Sequence, residues 1–351
     1  MRGFGCALFI LEEKDMKKLL TLIFALLLCC SVLFASCDEK NKNSLDTSEQ
    51  TTECSEQKID PEEPPTDTEE STSTPEESTT GREDSSSEGA PSKESVGLAY
   101  AISQEGQTCA IIGMGTCTDT KIYIPAKIDG YSVTVIRLGA FNNCNMLTNI
   151  TLPEGIISIE EDAFSGCINL TSITIPNSVT NIDEFAFRGC IGLTNVKIPK
   201  SVTNIGVGAF YMCANLTSIT VDSNNANYMS IDGNVYSKDG KTLIQYATGK
   251  TATSFIVPDN VTCIGEGAFL GCTELTSITI PDSLKSIASS AFVYSGLKNV
   301  YYSGTASKWG EICSNPTNDM LINATVYYYS ESIPTEEGNY WHYVDGVPTP
   351  W

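Results

Sequence analysis

Fourteen cysteines and one histidine are the residues through which this 351-residue chain could do chemistry. Cysteine can bridge, ligate a metal or act as a nucleophile, and histidine can move a proton near neutral pH. The lone histidine, His342, excludes a His-rich metal site. It also leaves any Ser/His/Asp relay hanging on one residue near the C-terminus. No Cys-x-x-Cys pair, phosphate-binding loop or dinucleotide-type glycine pattern stands in a supporting context. The run Asp222-Ser223-Asn224-Asn225-Ala226-Asn227 is rich in oxygen but does not match an EF-hand loop. No catalytic residue, metal ligand or cofactor is therefore assigned, and an enzyme is not expected.

The cysteine spacing carries a different message. Cys144, Cys167, Cys190, Cys213 and Cys272 each stand three residues after a phenylalanine. The preceding Ala-Phe pair falls at Ala140-Phe141, Ala163-Phe164, Ala186-Phe187, Ala209-Phe210, Ala268-Phe269 and Ala291-Phe292, in steps of 23, 23, 23, 59 and 23 residues. A fixed period in the twenties marks a solenoid, one coil per repeat. The thiols should then stack as a column of small core residues. Neighbours would run parallel about 4.8 Å apart, which is poor disulfide geometry. The most favourable bridge is Cys109 to Cys117, outside the column.

The elements that position these residues read as follows. Leu170-Thr171-Ser172-Ile173-Thr174-Ile175-Pro176 ends in strict alternation, with Ile173 and Ile175 inward and Ser172 and Thr174 outward. Pro176 ends the strand because it cannot donate to a ladder. Val179 and Ile182 form the next inward pair, on the opposite side of the coil. One coil buries too few apolar side chains to fold alone, so stability comes from stacking.

LTSITIP (170–176, 275–281), SVTNI (178–182, 201–205) and GAF (139–141, 208–210, 267–269) recur in register. These residues resemble the leucine-rich repeats of the BspA type found in bacterial surface proteins, over about residues 97 to 330. The resemblance implies a curved solenoid and a role in adhesion or recognition at the bacterial surface. The fold class expected is a β-rich, right-handed leucine-rich-repeat stack of about 6–8 coils with one hairpin insertion, preceded by a signal peptide and a disordered linker.

Residues 1–15 fit nothing downstream and read as an upstream start. Residues 16–36 carry a short basic segment and an apolar run of signal-peptide length, shorter than a membrane span. Leu33-Phe34-Ala35-Ser36-Cys37 resembles the lipobox of bacterial lipoproteins, which would lipidate Cys37 and anchor the exported chain to a membrane at the cell surface. Phe34 departs from the usual aliphatic residue, and a plain secretory signal cleaved after Ser36 is the other reading. Residues 37–95 form a Ser/Thr/Glu/Pro tether. Between Asp38 and Ser95 stand 18 acidic and five basic residues, a large part of the net charge of −22. That balance argues against nucleic acid as a partner.

The solenoid spans 96–330. A hairpin around Glu105-Gly106 should close its first edge. The 59-residue step holds an insertion within about 222–254, read as an enlarged coil with a hairpin. Its candidate recognition residues are Asp232, Gly233, Tyr236, Asp239 and Gly240; an inherited ornament explains them equally well. The stacked outward positions Thr151, Thr174, Lys197, Thr220, Thr279 and Tyr301 form a candidate binding face for a protein ligand, or for a glycan. They are also simply good solvent-facing strand residues. Residues 331–351 are an aromatic tail, read as a cap on the last coil, although aromatics can also stack on sugars.

Overall fold

The computed structural model describes residues 94–103, 105–313 and 315–351. Residues 1–15, the signal-peptide segment, Cys37 and nearly all of the tether lie outside the described residues. The chain winds into a β-solenoid of about ten turns. That exceeds the six to eight read from the Ala-Phe pairs, because several turns lack that pair.

Each regular coil contributes one strand to a front ladder and a two-residue strand to a back ladder. In front, Lys121–Tyr123, Asn149–Thr151 and Ser172–Thr174 pair in parallel, as do Asn195–Ile198 and Ser218–Val221. Behind, Ser158–Ile159, Asn181–Ile182 and Asn204–Ile205 follow one another in register. Ile173, Ile175, Val179 and Ile182 are all buried, while Ser172 and Thr174 are exposed. The period-2 reading of LTSITIP therefore holds in space.

The core is a set of columns. The rings of Phe141, Phe164, Phe187 and Phe210 stack at 5.3, 5.3 and 5.5 Å between centroids, tilted from one another by 5° or less. In-register parallel strands repeat about every 4.8 Å, so identical rings at one template position must overlap. Beside each ring the backbone continues the ladder. Phe141, Phe164 and Phe187 each donate their amide to the alanine carbonyl of the next coil at 2.7–2.8 Å.

Both ends of the stack are closed by irregular structure. At the start, Ala99–Ser103 and Thr108–Gly113 form the expected antiparallel hairpin heading the back ladder. At the far end lie helix α1 (Ala306–Ile312), capped by the Thr305 hydroxyl and burying Trp309 and Ile312, and helix α2 (Asp319–Ile322). Buried Asn318 stands in for a missing coil. Its Oδ1 accepts from the Phe292 amide at 3.2 Å, and its Nδ2 donates to Ala288 O at 2.9 Å. Thr325–Tyr329 continues the front ladder in parallel beside Asn299–Tyr302. Tyr340–Val344 and Val347–Pro350 follow as a hairpin. Its turn, Asp345-Gly346 between valines, was a readable hairpin signal.

The 59-residue step contains a complete disguised coil. Tyr246 takes the phenylalanine position: its amide donates to Ala268 O at 2.9 Å and its ring lies 5.3 Å from Phe269. The step is thus one coil of 36 residues, Phe210 to Tyr246, followed by a regular one of 23, Tyr246 to Phe269. Leu243 pairs with Ile264 in the back ladder. The hairpin Tyr228–Ile231/Asn234–Ser237 is the added material.

Candidate functional site

Outward polar positions of the repeat divide into those spent on the scaffold and those left for a partner. The threonine opening four of the front strands is spent. Thr148, Thr171, Thr217 and Thr276 donate their hydroxyls to the carbonyls of Thr120, Thr148, Thr194 and Thr253 at 2.9–3.3 Å. On the opposite edge, Ser178, Ser201 and Ser283 donate to Ile156, Val179 and Val261 at 2.6–3.0 Å. Each such bond contributes about 1 kcal/mol net and locks coil to coil.

What remains is the middle of the front ladder, although the Thr220 hydroxyl there also donates to Val196 O of the previous coil at 3.5 Å. Thr151 pairs with Thr174 and Lys197 with Thr220, and Ser172–Thr174 lies against Asn195–Ile198 in the next coil. All four side chains are exposed. They form one row across four consecutive coils. The Lys197 side chain is 70% exposed, with Nζ 3.4 Å from Asp222 Oδ2. The Asp222 carboxyl is held below its ordinary range, first by the Asn224 amide and then by Lys197. An exposed pair of this kind adds little stability, which leaves its charges available to a partner.

The added hairpin bounds this row. Asp232 and Gly233, with φ of +50° and +75°, make its two-residue turn, the left-handed pair that Asp-Gly suits. Gly233 O accepts from the Ile219 amide at 2.9 Å, so the hairpin tip enters the front ladder beside Thr220. A Cβ on Gly233 would lie 3.0 Å from Ser218 Cα, so only glycine permits the approach. Asp232 is exposed and Lys250 donates to its carbonyl oxygen. The other expected hairpin residues are not presented as a recognition set. Tyr236 is 1% exposed, part of the core beneath the hairpin, and burial pushes its phenol up to about 12. Gly240 is buried. Asp239 is exposed but shapes its own turn, accepting from the Ser237 hydroxyl and the Lys241 amide at 2.7 and 3.0 Å.

Thr279 and Tyr301 do not join the row. They lie in a second front sheet, beyond the hairpin. Thr279 is 5% exposed, flanked in register by Ile256 and Tyr301, whose larger side chains overshadow it. Tyr301 is half-buried against Tyr327 and Trp341, at 5.4 and 5.7 Å. Trp341, from the C-terminal hairpin, is fully buried and donates its indole N–H to Tyr302 O at 3.0 Å. The tail therefore covers the outer face of the last coils. His342 stacks on Trp351 at 3.7 Å.

The thiol column has a role that spacing alone did not disclose. Cys167, Cys190 and Cys213 donate Sγ to the carbonyls of Phe141, Phe164 and Phe187 at 3.0–3.1 Å, one coil back. Burial pushes the Cys167 and Cys213 thiols up to about 12, and those of Cys190 and Cys272 higher still. Such groups are poor nucleophiles. Cys109 and Cys117 are both free and buried. No group of three or more His, Cys, Asp or Glu side chains suited to a metal occurs among the described residues. No helix among the described residues is long and apolar enough to cross a membrane.

Ladder, ring stack and thiol column together define a repeat scaffold of the leucine-rich kind. The family model for the BspA type leucine rich repeat region matches residues 116–239 and 245–332, in six copies. The chain belongs to that family. No curated protein matches it. Among solved structures, a leucine rich cell surface protein from Faecalibacterium prausnitzii is 21% identical, over 63% of this chain and 97% of that one, with a TM-score of 0.37. A leucine-rich repeat protein from Eubacterium ventriosum is 22% identical, over 67% and 77%, with a TM-score of 0.42. The pneumococcal vaccine antigen PcpA is 17% identical, over 68% and 93%, with a TM-score of 0.33.

Proposed function

We propose that this chain is an exported, lipid-anchored surface protein that recognises a protein partner, in adhesion, along the row Thr151, Thr174, Lys197 and Thr220. The observation that carries the reading is the exposure of that row on a scaffold whose flanking threonine and serine hydroxyls are engaged between coils. A flat row of hydroxyls around one lysine, walled by the Asp232-Gly233 turn, suits hydrogen bonding to an extended surface. Rigid strands lower the ordering cost of such binding. Cys37 supports the anchor through its sequence context alone.

The test uses the full chain in a pull-down and a glycan array. Thr174→Arg and Lys197→Glu should each abolish a saturable protein interaction. Retention on glycans with no protein bound would replace this reading by glycan recognition; the exposed Tyr329, Tyr343 and Trp351 of the tail are the observation favouring that alternative. For the anchor, Cys37→Ser should end incorporation of labelled palmitate and release the chain into the medium. Unchanged labelling would sink it.

A further inference from the structure

The enlarged coil is long at its hairpin and short at its corner. From back-ladder residue to ring residue, a regular coil steps from Ile264 to Phe269, whereas this one steps only from Leu243 to Tyr246. The corners on either side therefore meet across it. A Cβ on Gly267 would lie 2.9 Å from Val207 Cγ1 and 3.7 Å from Gly208 N. This pinch brings Tyr211 and Tyr294, from coils separated by the Tyr246 and Phe269 turns, to 6.3 Å between ring centroids at 19°, over Gly271. Phe185 continues the strip edge-on, 6.4 Å from Tyr211.

Glycine floors press these rings flat. A Cβ on Gly271 would sit 2.4 Å from the Tyr211 ring, and one on Gly208 would sit 2.6 Å from the Phe185 ring. Phe185, Met212 and Tyr294 themselves have φ of +54°, +59° and +55°. Gly208 and Gly267 fill the Phe185 position in other coils, and Gly166, Gly189 and Gly271 fill the Met212 and Tyr294 position. A bulky residue there carries a steric cost that glycine avoids. Burial does not repay it, since Met212 and Tyr294 remain 54% and 59% exposed.

The surroundings indicate what the strip would hold. Glu184 and Glu266 occupy one corner position in their coils, both exposed, with only Val207 at that position between them. The protein already lays a cation of its own on the strip: the Arg188 guanidinium stands 5.5 Å over the Phe185 ring, 3.5 Å from Asp162. We propose that this corner is a docking surface for a basic peptide segment of a partner, with lysine or arginine side chains over the Tyr211 and Tyr294 rings and paired with Glu184 and Glu266. Aromatic faces attract cations and flanking carboxylates retain them.

The probe is a fluorescein-labelled peptide of alternating lysine and glycine, with its glutamine counterpart as control, titrated by anisotropy into the full chain. The unchanged protein should bind the lysine peptide and not the glutamine one. Tyr294→Gly keeps every charge and relieves the left-handed residue, so its unfolding midpoint should match or exceed the original. Its affinity should nonetheless fall about tenfold when combined with Tyr211→Ser, and severalfold alone. E184Q/E266Q should weaken binding as well, and Lys197→Glu should not. Equal binding by the Tyr294→Gly chain would reduce the effect to bulk charge and overturn the proposal. So would no binding by the unchanged protein, or binding of cellohexaose at these rings in place of the peptide.

Discussion

The Thr248 hydroxyl shares its proton between the Phe210 carbonyl at 3.3 Å and the Cys213 carbonyl at 3.0 Å. In the preceding coils the phenylalanine carbonyl accepts from a thiol, Phe164 O from Cys190 and Phe187 O from Cys213. Thr248 and Tyr246 thus reproduce, with other residue types, the Cys and Phe of a regular coil. At these two positions the repeat carries through the enlarged coil, although both strand ladders break there and restart on its far side.

The ring column from Phe141 to Phe210 runs through the first of two core clusters, so its middle should be the most sensitive. Phe187 is fully buried between Phe164 and Phe210. Phe187→Ala should cost about 3–5 kcal/mol, through lost burial and an unfilled cavity. Urea denaturation would show this as a lower midpoint. A loss below about 1 kcal/mol would mean that the coils close up around the gap.

Asn318 supplies both an acceptor and a donor where the repeat stops. Asn318→Ala leaves the buried Phe292 amide without its partner, at about 1–3 kcal/mol, and the half-buried Ala288 carbonyl without its donor. The last coils should then fray first, seen as faster amide exchange around Phe292. Unaltered exchange there would show that Asn318 does not close the stack.

Ser295 replaces the column cysteine in the final coil, and its hydroxyl is buried with no hydrogen-bond partner among the described residues. Ser295→Ala removes an uncompensated polar atom and should raise stability by about 1 kcal/mol. A loss of stability on this change would reveal a hydrogen bond at that site.

The buried thiols set an alkaline limit. Folding raises the Cys167 and Cys213 pKa values from 9.0 to about 12, and burial is the largest cause in both. A group protonated more strongly when folded contributes its full stability below the unfolded value. That contribution is lost as pH rises from about 9 toward about 12, at about 1.4 kcal/mol per unit per thiol. Unfolding free energy should therefore fall above pH 9, and half-buried Cys144 should alkylate before Cys167, Cys190 or Cys213. A flat profile to pH 11 would contradict the burial of the column.

Much of this architecture was legible because one template repeats. Alternation in LTSITIP placed Ile173 and Thr174 on opposite faces, and Asp232-Gly233 announced its turn. What escaped notice lay where identity changed while geometry did not. Tyr246 and Thr248 carry no Ala-Phe-x-x-Cys signature, so their coil was counted as insertion. The exposed row was legible through Thr220 but not beyond. Thr279 fits the template and is nonetheless covered, because its neighbours Ile256 and Tyr301 are large and the tail folds over the last coils. The corner strip had a readable signal in Phe185, Met212 and Tyr294 standing at glycine positions. Its assembly depends on the short corner of the enlarged coil, which no local pattern reports.

The central claim is that the row from Thr151 to Thr220 faces a protein partner. The most direct measurement places a photo-crosslinking amino acid at Thr174 on that row, and separately at Thr180, exposed on the back ladder, in full-length protein on intact cells. A discrete protein adduct from position 174 and none from position 180 is the expected result, with Lys197→Glu abolishing the adduct. The same adducts from both positions, or from position 180 alone, would contradict the account.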